Sequence, residues 1–142
     1  MRELRFRAWV KKENIMIQHR EVIERAHLQF NDVLSNSEDK VDIVMQFIGL
    51  KDKSGKDVYE GDILRFSPKN NYEKINFMAY EVFYHDNDCA DNHIGFQMNR
   101  THCYGCIGGG EIIAKCLPKY TSKMEIIGNI YENPELLEKN HE

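Results

Sequence analysis

The chain has 142 residues, of which 42% are hydrophobic and 30% charged, the proportions of a folded domain rather than a disordered segment. Lysine and arginine number 19 against 23 aspartate and glutamate, and the resulting net charge of −4 argues against a protein that coats nucleic acid, whose affinity comes mostly from neutralising phosphates. No run reaches the ~20 apolar residues of a membrane span. The opening Met1-Arg2-Glu3-Leu4-Arg5-Phe6-Arg7 lacks the apolar core of a secretion signal, so a cytoplasmic protein is expected.

A chain of this length is expected to be one domain over residues 1–142, with a possible division into 1–66 and 67–142. Aromatic residues fall in short apolar runs separated by turn residues, the texture of a mainly β protein. Leu4, Phe6 and Ala8 alternate with Arg5, Arg7 and Trp9, which predicts a first strand with the former facing the core and the latter facing out, burial of Trp9 under the Lys51–Asp57 hairpin or a second layer being the alternative. Lys11-Lys12-Glu13-Asn14 reads as a turn and Ile15-Met16-Ile17 as the return strand. Residues 19–34 carry two patterns. Val22, Ile23, Ala26, Phe30, Val33 and Leu34 suit a helical stripe, while Ala26, Leu28 and Phe30 alternate as in a strand, and strand is the reading adopted.

Val41 to Leu50 is the strongest strand, with Val41, Ile43, Met45 and Phe47 on one face. Asp52-Lys53-Ser54-Gly55 is the clearest turn, because Asp accepts backbone hydrogens and Gly tolerates the positive φ that closes it. Glu60-Gly61-Asp62 is a second tight corner, before a strand at Ile63–Phe66. Further strands are expected at Tyr80–Tyr84, Ile94–Met98, Ile112–Leu117 and Met124–Tyr131. Asn133-Pro134-Glu135 then opens a short C-terminal helix, with a capping Asn, Pro at the first helical position and an early acid.

Three blocks carry a family likeness. They are Arg5-Phe6-Arg7-Ala8-Trp9, the run from Met45 to Leu64 around Gly55 and Gly61, and the run Glu125-Ile126-Ile127-Gly128-Asn129-Ile130-Tyr131-Glu132-Asn133-Pro134-Glu135-Leu136-Leu137. In this order and spacing the sequence resembles the YopX family of phage- and prophage-encoded proteins. The resemblance implies a mainly β, barrel-like architecture, a prophage origin and no established activity. Read from its residues alone, the glycine corner before an alternating strand also suits a small SH3-like barrel with long hairpins.

Four cysteines raise the question of zinc. Cys103-Tyr104-Gly105-Cys106 is a knuckle whose two thiolates suit a tetrahedral ion, and Cys89 and Cys116 would complete a four-thiolate set. A second knuckle is missing, so reduced thiols without a cofactor are the simpler expectation. Asp86-Asn87-Asp88-Cys89-Ala90-Asp91 fails as a calcium loop, which needs Gly where Asp91 stands and Glu where Gln97 stands. Gly108-Gly109-Gly110 has no following Gly-Lys-Ser/Thr and reads as a loop. No Gly-x-Ser-x-Gly elbow or helical His pair points to catalysis, and no enzyme is expected.

Function is therefore sought in binding. Arg5, Arg7, Trp9 and Tyr59, beside the corner residues Glu60 and Asp62, are the candidate contact surface, since Trp, Tyr and Arg are enriched where proteins meet. Lys11, Lys12, Lys51, Lys53 and Lys56 add cations near it. The expected function is a non-catalytic interaction module that binds itself and a host or phage protein. A nucleic-acid-binding accessory protein and a zinc-binding protein are the alternatives.

Overall fold

The computed structural model describes residues 3–32, 43–67, 77–86, 94–104, 113–115 and 118–138. The architecture is mainly β, and the chain forms two compact units, Met1–Phe47 and Ile48–Glu142. The division considered after residue 66 falls inside the second unit.

The first unit contains β1 (Phe6–Val10), β2 (Ile15–Ile17), α1 (His19–Asp32) and the first half of β3 (Ile43–Lys51). β1 is central. It pairs antiparallel with β2, setting Ala8 opposite Ile17, and with β3, setting Arg7 opposite Met45 and Trp9 opposite Ile43. The turn joining β1 to β2 is made at Asn14, a residue that tolerates the left-handed conformation it holds at φ +56°. Ala8, Val10 and Ile17 pack with Val22 of α1, with Phe6 at the margin.

Residues 19–32 are helical, which corrects the strand expected there. The alternation of Ala26, Leu28 and Phe30 competed with a charge pattern that only a helix satisfies. Arg20 meets Glu24 at 3.0 Å and Arg25 meets Glu21 at 2.8 Å, both pairs four residues apart. Arg25 also grips Glu13 of the preceding turn at 2.7 Å and 3.2 Å. That hydrogen bond holds the Glu13 carboxyl below its ordinary pKa.

A second correction concerns β1. Leu4, expected in the core, is 60% exposed, and Arg7, expected to face out, is 8% exposed; of the two readings of Trp9, outward or buried, the buried one holds, at 7% exposed. A strand paired on both edges can also be covered on both faces. Here Arg7, Trp9, Met45 and Phe47 are all buried on the face opposite Ala8. Alternation predicts which residues share a face and says nothing about how many faces are covered.

The second unit continues with the end of β3, β4 (Asp57–Tyr59), β5 (Asp62–Phe66), β6 (Phe77–Asp86), β7 (Ile94–Tyr104), β8 (Ile113–Lys115), α2 (Pro118–Thr121) and β9 (Glu125–Asn129). A 3₁₀ turn, Pro134–Leu137, ends the described chain. The sheet order is β8-β7-β6-β5-β9, built on the long β6–β7 hairpin. Ile48, Val58, Leu64, Val82, Met98 and Met124 form its core, with Leu50, Phe66, Tyr80, Phe96 and Ile126 against them.

The corner between β4 and β5 follows the sequence reading. Gly61 holds φ +79°, a conformation that other residues adopt only at a steric penalty. Its N–H donates to the Val82 carbonyl at 2.8 Å and its carbonyl accepts from Ile130 N–H at 2.9 Å. The buried Asp62 carboxylate reaches back to accept the Tyr59 N–H at 2.8 Å.

The C-terminal turn is anchored differently from the expected helix cap. Asn133 makes no side-chain cap; its Oδ1 instead accepts the Asn129 N–H at 3.3 Å. Asn129 Oδ1 in turn accepts the N–H groups of Tyr131 (3.1 Å) and Glu132 (2.8 Å). This folds the chain onto Gly128, where a Cβ would lie 2.4 Å from Asn133 Oδ1 and 3.0 Å from Leu136 Cδ1. Gly128→Ala should therefore lower stability by about 1–3 kcal/mol, the usual penalty of overpacking. Urea titration would measure it, and adding Asn133→Ala should recover part of the loss by removing the obstructing oxygen.

Candidate functional site

The residues expected to form a contact surface lie mostly inside the protein. Besides Arg7 and Trp9, Tyr59 is 7% and Asp62 1% exposed, and both are engaged in the β4–β5 corner. Arg5 is partly covered, with its guanidinium 4.2 Å above the Phe47 ring and 3.1 Å from Glu3. Glu60 is half-buried at the corner. Of the cysteines, Cys103 lies in β7 opposite Met78, while Cys89, Cys106 and Cys116 fall outside the described residues.

The structure assembles a different surface, around Asp52. This aspartate is 5% exposed and accepts three backbone hydrogens. Ser54 and Lys56 donate to Oδ1 at 2.8 and 2.9 Å, closing the β3–β4 turn. Ile126 of β9 donates to Oδ2 at 3.1 Å. Burial on its own would raise the Asp52 pKa. The hydrogen bonds from Ile126, Lys56 and Ser54, with the Lys56 charge, outweigh it and hold the carboxyl below its ordinary value.

The turn is also tied by its backbone. Lys53 N–H donates to the Met124 carbonyl at 2.8 Å, and Lys123 N–H donates to the Tyr120 carbonyl at 3.0 Å just before it. The β3–β4 turn, α2 and the start of β9 thus form one end of the second unit, with buried Thr121 and Met124 beneath.

That end is rich in lysine. Lys53, Lys56, Lys119 and Lys123 are exposed, and Tyr120 is 42% exposed with the Lys119 ammonium 4.9 Å from its ring centre. Lys51 spends its charge on Asp57 at 2.6 Å, and Lys53 has a looser partner in Glu125 at 3.4 Å. Among the described residues no carboxylate pairs with Lys56, Lys119 or Lys123. Sequence reading had Lys51, Lys53 and Lys56 but missed Lys119, Tyr120 and Lys123. The Lys53–Met124 and Asp52–Ile126 hydrogen bonds, with the Lys53–Glu125 ion pair, bring the two segments together, and spacing carries no trace of them.

Among the described residues, no group of three or more His, Cys, Asp or Glu side chains is arranged to hold a metal ion. No helix among them is long and apolar enough to cross a membrane.

Comparison with known proteins agrees with the architecture. The chain superimposes on the crystal structure of protein EF1440 from Enterococcus faecalis with a TM-score of 0.57 at 24% identity, covering 97% of this chain and all of that one. At that identity the likeness is one of fold. No curated protein matches the chain. The model of the YopX protein family matches residues 5–138, a span that takes in the buried first strand, the Asp52 turn, the Gly61 corner and the Gly128–Leu137 ending. This chain belongs to the YopX family.

Proposed function

We propose that the protein is a non-catalytic interaction module that uses its lysine-bearing end to engage an acidic surface of a protein partner. The observation that carries this reading is a turn pinned by a buried carboxylate while its lysines point to solvent. A scaffolded loop of this kind keeps its exposed groups in place, which lowers the entropy lost on binding. The reading extends to a prophage-encoded, cytoplasmic protein that self-associates and meets a host or phage protein. Leu4, Ile15, Ile23 and Val44, all at least 40% exposed in the first unit, support self-association. The Gly61 corner supports an SH3-like barrel in the second.

Charge reversal tests the surface. Lys53→Glu, Lys56→Glu, Lys119→Glu and Lys123→Glu combined should leave the melting temperature within a few degrees of wild type, because exposed lysines contribute little to stability. Binding to a polyglutamate probe should fall at least about tenfold, and wild-type binding should weaken as salt rises. Equal binding by wild type and variant would refute the surface.

A nucleic-acid accessory role is the second reading, favoured by Tyr120 standing beside Lys119 and Lys123. Cations next to an exposed ring suit single-stranded nucleic acid, where stacking and phosphate contacts add. A single-stranded oligonucleotide that binds more tightly than polyglutamate at equal salt would favour it.

A further inference from the structure

Away from the lysine end, the middle of the β5-β6-β7 sheet holds an unusual pair. Glu81 of β6 lies opposite Ile63 of β5 on one side and opposite Asn99 of β7 on the other. Directly opposed residues of an antiparallel pair emerge on the same face, with Cβ atoms about 5 Å apart, so a carboxyl and an amide there are within reach. This is the face away from Leu64, Val82 and Met98, yet it is well covered, with Ile63 fully buried and Gln97 3% exposed.

Glu81 is half-buried and, among the described residues, has no hydrogen bond or ion pair. Asn99 Oδ1 is buried and receives no hydrogen. With Asn99 Oδ1 as the buried end of its amide, an ionised Glu81 would set two acceptors against each other with no proton between them, an arrangement that costs the desolvation of both. A single proton on Glu81 satisfies the pair.

We propose that the folded protein carries Glu81 as the neutral acid, donating its proton to Asn99 Oδ1, so that the β6–β7 hairpin is bound more weakly as pH rises. Burial independently pushes the Glu81 pKa above the ordinary carboxylate value. The titratable and charged residues placed around it on the paired strands are Arg65 on β5 and Glu125 opposite it on β9, His85 further along β6, His102 on β7 opposite Ala79, and Lys115 on β8 opposite Gln97. Arg100 stands opposite Tyr80, whose ring belongs to the core side. Burial is the cause that acts on Glu81, with no charge opposing it.

The sign follows from linkage. A carboxyl whose folded pKa lies above its unfolded one contributes stability that is complete below the unfolded pKa. That contribution is lost as pH rises through the folded pKa. Glu81→Gln mimics the neutral acid and keeps a hydrogen to donate. It should melt a few degrees above wild type at about pH 8 and close to wild type at about pH 5. Carbon-13 resonances of the wild-type carboxyl should show Glu81 titrating above the usual glutamate range. If Glu81 titrates at or below that range, or if Glu81→Gln melts lower than wild type at about pH 8, the shared proton does not exist.

Discussion

Asp52→Ala should lower stability by about 3–5 kcal/mol, a loss at the upper end of what single substitutions produce. The substitution strands the N–H groups of Ser54, Lys56 and Ile126, and each buried donor left without an acceptor costs about 1–3 kcal/mol, less where water enters. The first two losses open the β3–β4 turn and the third frees β9 from it. Asp52→Asn should fall between wild type and alanine. One amide oxygen can still serve Ser54 and Lys56, but an NH₂ group then confronts the Ile126 N–H. Because the Asp52 pKa is lowered by folding, its stabilisation is present above the ordinary aspartate pKa and disappears as pH falls through the folded value. Denaturation by urea across an acid series would test both statements. A loss in Asp52→Ala below about 1 kcal/mol, well short of one stranded charge-assisted donor, would mean that Asp52 does not organise the turn.

Trp9→Ala should cost a similar amount, about 3–5 kcal/mol, through a cavity in the first unit. Trp9 is 7% exposed on the central strand, opposite Met16 on one side and Ile43 on the other. The effect should appear in the unfolding midpoint rather than in a binding constant. Were the variant as stable as wild type yet impaired in self-association by light scattering, Trp9 would be a contact residue after all.

These cases show where sequence reasoning reaches. The Asp52–Gly55 turn and the Gly61 corner were legible because their chemistry is local, an acceptor beside the amides it serves and a glycine at a positive φ. The paired strands were legible from alternation. The helix at 19–32 was missed because a short window holds both periods, although Arg20–Glu24 and Glu21–Arg25 carried the deciding signal. Asp52 meeting Ile126 spans 74 residues, and no local pattern encodes such a reach. The lysine-bearing end was not legible for the same reason: Lys123 is brought beside Lys53 by contacts between distant segments, among them Lys53 with Met124 and Asp52 with Ile126. Glu81 carries no local signal in the sequence, and only its register puts it opposite a buried amide oxygen.

The reach of Asp52 has a consequence for the edge of the second sheet. β9 is the last strand in its sheet order, and an uncovered last strand is a template on which another molecule can lay a strand of its own. In this protein the outward N–H of Ile126 is occupied by a carboxylate, and the carbonyl of Met124 just before it is occupied by the Lys53 amide. An incoming strand would have to displace a buried negative charge and a closed turn before making its first hydrogen bond. The border is thus guarded by a side chain instead of a neighbouring strand, which protects this edge against fibre-like growth.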